Sequence, residues 1–123
     1  NKLSFAKLEG VVKSAEEING NLVMVARIDA STDALRAMCD ALRDKYANGV
    51  ALLAGVSDGK VAIAAGVGKD AVAAGVRAGD LVKVAAKICG GGGGGRPDSA
   101  TAGGRDASKL GEALAAVKET LKA

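Results

Sequence analysis

Residues 89–104 read CGGGGGGRPDSATAGG, and the six consecutive glycines Gly90–Gly95 decide how the rest of the chain is arranged. A glycine run of this length is typical of a flexible linker between independent domains. Here only residues 96–123 follow it, with one short strand pattern and one amphipathic helix pattern, which is too little to bury a core. We therefore expect the tail to fold back on the body, and the run to be an internal loop with both ends held.

Glycine loops also occur at phosphate sites, because successive backbone N–H groups can converge on an anion when no side chains intervene. The P-loop pattern GxxxxGK[ST] is absent, since Arg96 and Pro97 stand where Lys and Ser or Thr are required. A Rossmann turn is disfavoured because its glycines leave a strand, whereas these leave a helix pattern. Mononucleotide cofactors are therefore disfavoured, and a phosphodiester backbone remains a suitable anion.

Cationic residues stand on both sides of the glycine run. If the loop folds over the end of a sheet, these cations surround its exposed amides and favour nucleic-acid binding. The alternative is that Arg96 and Asp98 pair locally while the lysines form an ordinary solvated face. On the first interpretation, Arg96→Ala should weaken binding by about 1 to 3 kcal/mol. Gly93→Val should impair binding more than stability, because a side chain would block approach to the backbone. The candidate RNA-binding residues are Gly90, Gly91, Gly92, Gly93, Gly94, Gly95, Arg96, Pro97, Asp98, Gly103, Gly104, Arg105, Lys83, Lys87 and Lys109.

The amino-terminal segment shows a helical pattern. Phe5, Leu8, Val12 and Ala15 recur at spacings of three and four, on one stripe of a helix that the Asn19-Gly20 pair would stop. Phe5, Leu8 and Val12 are a candidate oligomer interface, although packing on the same chain is the alternative. Residues 1–19 are therefore predicted to end a linking or dimerisation helix, and residues 20–123 to form the globular domain.

The globular part is predicted to be α/β (α+β), with a single mixed sheet of about four to five strands covered by helices. Nearly continuous apolar runs predict buried strands, and an Asp-Gly pair joins two of them as a hairpin. Helical spacing predicts three further helices, the last capped by Asp106. The predicted elements are strands at 21–28, 50–56 and 60–67, helices at 32–48, 80–88 and 106–121, one helical turn within 68–80, and a short edge strand at 99–104.

Composition narrows the function classes. The net charge of +3 permits an anionic partner without requiring one. Cys39 and Cys89 are far apart in a chain without histidine, so they predict buried free thiols in a reducing cytosol rather than a zinc site. No stretch is long and apolar enough for a membrane helix or a secretion signal, so we expect a cytoplasmic location.

The quoted motif, with AGDLVKVAAKICGG before it, resembles the carboxy-terminal domain of alanyl-tRNA synthetases, in which a glycine run is followed by RPD, AGG and a final helix. The resemblance implies the fold of the accessory domain of DHH-type phosphoesterases (DHHA1). It also implies binding of the tRNA elbow, here of tRNA-Ala, which helps to couple aminoacylation with editing, and a possible homodimer through the amino-terminal helix. The residues that match the family motif by position, and to which the resemblance assigns tRNA binding, are Gly90–Gly95, Arg96, Pro97, Asp98, Gly103 and Gly104.

The resemblance implies no cofactor within these residues, whereas a parent alanine–tRNA ligase would use ATP, Mg²⁺ and Zn²⁺. The fragment alone is expected to catalyse nothing. One alternative is the substrate-binding domain of a DHH phosphoesterase or oligoribonuclease, but such relatives carry His-Pro and AAG where this chain has RPD and AGG. A second alternative is an oligomerisation module that acts through the Phe5, Leu8 and Val12 stripe.

Overall fold

The computed structural model describes residues 10, 13 and 15–122. The elements from residue 16 onward are β1 (Glu16–Ile18), β2 (Asn21–Arg27), α1 (Thr32–Lys45), β3 (Gly49–Ser57), β4 (Lys60–Val67), α2 (Lys69–Ala73), α3 (Ala78–Ile88), β5 (Gly92–Gly95), β6 (Ser99–Gly104), a 3₁₀ helix (Ala107–Lys109) and α4 (Leu110–Lys122).

The strands form one mixed sheet in the order β1-β2-β3-β4-β6-β5. Strands β2 and β3 are parallel, and α1 is the crossover that joins them. The other neighbouring pairs are antiparallel. The predicted mixed sheet is therefore confirmed, with six strands in the described part of the chain instead of four to five. The additional strands are β1 and β5, which lie at its two edges.

Helices cover both faces of the sheet. On one face, Leu35, Cys39 and Leu42 of α1 pack on buried residues such as Met24 and Leu53. On the other face, α3 and α4 pack over β3, β4 and β6. Strands β3 and β4 read as continuous apolar runs because both of their faces are buried. The carboxy-terminal helix thus packs back on the body, as the sequence predicts.

The helix predicted to run up to Asn19 is wrong for residues 16–18. Glu16–Ile18 is a strand that pairs with β2, and Ile18 is buried in the core. Asn19 and Gly20 have φ values of 53° and 83°, which suit a two-residue hairpin turn rather than a helix stop. Phe5, Leu8 and Val12 lie outside the described residues, so the interface and the boundary at residue 19 stay predictions.

The glycine run is also not wholly a loop. Gly92–Gly95 forms β5, and it is this strand that occupies the edge, whereas Ser99–Gly104 lies inside the sheet between β4 and β5. The predicted strand at 99–104 is therefore confirmed and its predicted edge position is wrong. Because Gly92–Gly95 pairs with β6, this part of the glycine run is held in place, unlike a solvated linker.

Both cysteines are buried free thiols, as predicted. Cys39 Sγ donates to the Ala64 carbonyl at 3.4 Å. Burial raises the pKa of Cys39 from 9.0 to about 12 and also raises the pKa of Cys89. No helix within the described ranges is both long enough and apolar enough to cross a bilayer.

Candidate nucleic-acid interface

Strand β5 presents an almost bare main chain at the edge of the sheet. Its register with β6 runs from Gly92 opposite Gly103 to Gly95 opposite Ala100. Gly94 is half-buried and the other three glycines of the strand are exposed. The predicted glycine site is thus ordered by one neighbouring strand while its other side stays accessible.

The glycines of the run differ in the space around them. A Cβ built on Gly91 would overlap the Gly103 carbonyl, one on Gly93 would lie 2.6 Å from the Thr101 oxygen, and one on Gly95 would lie 2.8 Å from the Ala100 Cα. These three positions therefore require glycine because β6 packs against them. The two positions between them are open, since Gly92 meets nothing within 4 Å and Gly94 meets only Lys83 Cε at 3.4 Å.

The ladder determines which N–H groups point outward. Arg96 N–H donates to the Ser99 carbonyl at 2.9 Å, so Arg96 and Ser99 are a hydrogen-bonded pair at the end of the β5–β6 ladder. Because hydrogen-bonded and non-hydrogen-bonded pairs alternate in an antiparallel ladder, the main-chain groups of Gly93 and Gly95 face away from β6. Within residues 15–122, the turns, loops and caps supply no backbone acceptor for these two N–H groups. The N–H group of Gly93 is therefore available at the open edge, whereas the main chain of Gly95 lies beside Gly79 of α3, where a Cβ would come within 3.2 Å of the Gly95 carbonyl oxygen and 3.6 Å of its nitrogen.

The turn that joins β5 to β6 is fastened through its main chain. Ala78 N–H, at the start of α3, donates to the Pro97 carbonyl at 2.8 Å. Val67 N–H, at the end of β4, donates to the Asp98 carbonyl at 3.0 Å. Pro97 and Asp98 therefore hold the end of the glycine strand in place.

Asp98 also carries two ion pairs. Its carboxylate lies 3.7 Å from Arg96 Nε and 3.5 Å from Arg43 Nη1, and Arg43 also donates to the Asp98 carbonyl at 3.3 Å. Arg96 remains 73% exposed. The local Arg96–Asp98 pair that the sequence left as an alternative is thus present, but it leaves the guanidinium accessible.

The other predicted cations differ in how close they lie to β5. Lys83 on α3 is exposed and its Cε approaches the open side of Gly94. Arg105 is exposed, and its N–H donates to the Cys89 carbonyl at 2.8 Å, beside the start of the glycine run. Lys87 and Lys109 are exposed, but neither lines the two cavities next to the strand.

Two cavities adjoin the glycine strand. The larger, of about 820 Å³, is lined by Ser31, Thr32, Asp33, Ser57, Asp58, Lys60, Val61, Ala62, Gly91, Gly92, Gly103, Gly104 and Arg105. The smaller, of about 380 Å³, is lined by Arg36, Gly94, Gly95, Arg96, Ser99, Ala100 and Thr101. Gly91 and Gly92 of the glycine run thus share one cavity with Gly103, Gly104 and Arg105.

Sequence reasoning missed Arg36 and Lys60, which bring positive charge to these cavities. Both residues are distant in sequence from the glycine run, and only the strand order brings them beside it. No motif or spacing in the sequence marks either residue as part of this site. Among the described residues, no cluster of three potential metal ligands is present.

Comparison with known proteins identifies a domain family. The DHHA1 domain matches residues 19–123. The alanine–tRNA ligase of Bacillus pumilus is 48% identical over 122 residues, and that of Bacillus subtilis is 44% identical over 122 residues. In both cases the match covers 98% of this chain but only 14% of the length of the relative.

Solved structures share the fold. The C-Ala domain of alanyl-tRNA synthetase from Aquifex aeolicus superposes with a TM-score of 0.81 at 28% identity, covering 89% of this chain and 99% of that one. A DHH domain from a protein described as belonging to a family of ribosomal proteins has a TM-score of 0.65 at 15% identity, covering 98% of this chain and 31% of that one, and shows the fold alone. The resemblance drawn from the glycine-RPD-AGG motif is confirmed.

Proposed function

Since this chain belongs to the DHHA1 domain family, in the form of the C-Ala domain of alanyl-tRNA synthetases, we propose that it binds tRNA through the glycine strand. The observation that carries the proposal is the bare edge of β5, where the N–H group of Gly93 faces outward beside exposed cations. Such groups suit the phosphate oxygens of a nucleic acid, which accept hydrogen bonds from main-chain N–H groups as well as from arginine and lysine.

The edge of β5 fits a phosphate backbone better than it fits base-specific recognition. Phe5 and Tyr46 are the only aromatic residues of the chain, so stacking on unpaired bases is nearly unavailable. Recognition therefore depends on backbone contacts and on the shape of the folded RNA. Affinity that depends on phosphate contacts falls steeply as the salt concentration rises.

The wider role follows from the relatives. We propose that the chain is part of an alanine–tRNA ligase of the cytoplasm, that its ligand is tRNA-Ala, bound at the elbow, and that this contact helps to couple aminoacylation with editing. The ATP, Mg²⁺ and Zn²⁺ sites of such a ligase are proposed to lie outside this domain. A homodimer through Phe5, Leu8 and Val12 belongs to the same proposal.

The strand-edge proposal is tested with Gly92→Ala. The added methyl group enters open space beside β5, next to the outward N–H of Gly93. Stability should be unchanged or slightly higher, while affinity for a tRNA-Ala transcript should fall roughly fivefold, because loss of one hydrogen bond costs about 1 kcal/mol. Fluorescence anisotropy with labelled tRNA measures the affinity, and urea unfolding measures the stability.

Gly111→Ala is the matched control. It makes the same chemical change on α4, where a Cβ also meets nothing within 4 Å. If both variants bind tRNA as the unmodified chain does, the glycine edge is not the contact surface. If the unmodified chain shows no salt-dependent binding of tRNA at all, the proposed function itself is refuted.

A further inference from the structure

A chain of alternating charges connects α1 with the turn between β5 and β6. At one end, Arg36 Nε lies 4.0 Å from Asp40 Oδ2, and Asp40 Oδ1 lies 3.6 Å from Arg43 Nη1. Arg43 Nη1 then lies 3.5 Å from Asp98 Oδ2, and Asp98 Oδ1 lies 3.7 Å from Arg96 Nε at the other end. Three guanidinium groups are thus linked by two carboxylates.

The two ends of this chain meet at one place. Arg36 and Arg96 both line the cavity of about 380 Å³ over Gly94 and Gly95, with side chains 55% and 73% exposed. Arg43, in the middle, is only 21% exposed and lines neither cavity beside the strand. Among the described residues that line the smaller cavity, none is acidic. Two accessible positive charges therefore share one small polar space.

The chemistry of the lining selects the class of ligand. Guanidinium forks match pairs of oxygens on a phosphate or carboxylate group, and they bind these groups through two parallel hydrogen bonds. The floor consists of small residues, Gly94, Gly95 and Ala100, so a tetrahedral anion can approach the main chain closely. Thr101 adds a hydroxyl group to the lining.

We propose that Arg36 and Arg96 bind a single phosphate group between them, and that Arg43 is a positioning residue for this site, acting through Asp40 and Asp98. The inference rests on the proposed function, because the phosphate is taken to belong to the bound RNA. It adds Arg36, which lies far from Arg96 in sequence, and a specific phosphate site.

The geometry explains why the end arginines are available. Their ion pairs, at 4.0 and 3.7 Å, are longer than hydrogen bonds and exposed, so they exchange readily for a better partner. Arg43 lies deeper and pairs with both Asp40 and Asp98. Because it partly neutralises these carboxylates, they attract Arg36 and Arg96 less strongly. Asp44 also pairs with Arg43, through Nε at 3.5 Å. Ser99 Oγ donates to Asp40 at 3.2 Å and further fixes the turn.

The shared phosphate is tested with Arg36→Gln, Arg96→Gln and the double variant, by titration of a tRNA-Ala transcript at several salt concentrations. Each single variant should lose about five- to hundredfold in affinity. The slope of log K against log salt should fall by about 0.9 in total in the double variant, because one phosphate is counted once, and by less in either single variant, where the remaining guanidinium still contacts the phosphate. Arg27→Gln is the control, since Arg27 is 53% exposed and pairs with Asp29 away from the cavity.

Two results would overturn the shared site. One is an Arg36→Gln variant that binds tRNA no differently from Arg27→Gln. The other is a double variant whose salt slope falls by about 1.8 in total, because that would indicate two separate phosphates.

The positioning role is tested with Arg43→Lys, which keeps the charge and removes the fork. It should weaken tRNA binding in the unmodified chain and have almost no further effect in the Arg96→Gln background. A purely structural role for Arg43 would instead lower the urea midpoint and weaken binding equally in both backgrounds. That result would refute the positioning role.

A second measurement does not depend on tRNA. Titration of inorganic phosphate should shift the side-chain Nε–H signals of Arg36 and Arg96 in an NMR spectrum, and not that of Arg27. If tRNA fails to bind but phosphate produces these shifts, the proposed function fails while the anion site stands. If tRNA binds but neither arginine signal responds to phosphate or RNA, the anion site fails alone.

Discussion

The pair Gly93→Ala and Gly92→Ala tests whether β5 is held in place by close packing on β6. At Gly93 the new Cβ would lie 2.6 Å from the Thr101 oxygen and even closer to Ala102, so the strands must separate. Overpacking of this kind costs about 1–3 kcal/mol. At Gly92 the same methyl group meets nothing within 4 Å, so the variant should be neutral or more stable by up to about 1 kcal/mol, through loss of freedom in the unfolded chain.

Urea unfolding followed by circular dichroism measures the difference. The midpoint for Gly93→Ala should fall at an unchanged slope, while that for Gly92→Ala should stay or rise. The same geometry corrects the sequence-based expectation for Gly93→Val, which should now reduce stability and binding together. Equal midpoints for the two alanine variants would refute the close packing of β5 on β6.

Three further predictions concern other parts of the chain. Because burial raises the pKa of Cys39 from 9.0 to about 12, the unfolded chain loses this proton first, so stability should fall as pH rises from 9 toward 12, by up to about 4 kcal/mol. Cys39→Ala should reduce this fall of stability with pH, as measured by urea unfolding at several pH values. An unchanged dependence of stability on pH would contradict the raised pKa of Cys39. Asn19→Gly should retain the β1–β2 hairpin and Asn19→Val should cost about 1–3 kcal/mol, because residue 19 has a φ of 53°; equal melting temperatures would argue against this turn. Leu8→Asp should convert a homodimer into a monomer in light scattering, and a chain that is monomeric without the change would refute that interface.

The elements with strong hydrophobic periodicity were predictable from sequence. Strands β3 and β4 are buried apolar runs, β2 is a partly buried one, and α1, α3 and α4 carry one apolar stripe each. Burial of these patterns is dictated by the residues themselves. The mixed sheet and the packed carboxy-terminal helix follow from them.

The errors occurred where local sequence permits two structures. Asn19 and Gly20 can stop a helix or form a hairpin turn, and pairing of Glu16–Ile18 with β2 selects the turn. A run of glycines has no intrinsic strand preference, so the pairing of Gly92–Gly95 with β6 is a property of the assembled sheet.

Only those residues of the candidate site that lie close to the glycine run in sequence were predictable. Arg96 and Arg105 were identified because they follow the glycines, and the structure places both beside them. Lys87 precedes the glycine run and Lys109 follows it, both at short distance in sequence, yet neither lines a cavity at the strand. Arg36 could not be found in this way, because the order β4-β6-β5 brings α1 toward the strand only in three dimensions.

The central claim is that the outward main-chain N–H group of β5 contacts RNA. Its most direct test is the amide spectrum of the ¹⁵N-labelled chain during titration with a tRNA-Ala transcript. The account predicts that the amide signal of Gly93 shifts and that its hydrogen exchange slows when tRNA binds. Saturation with tRNA that leaves this amide unchanged, while signals elsewhere shift, would contradict it.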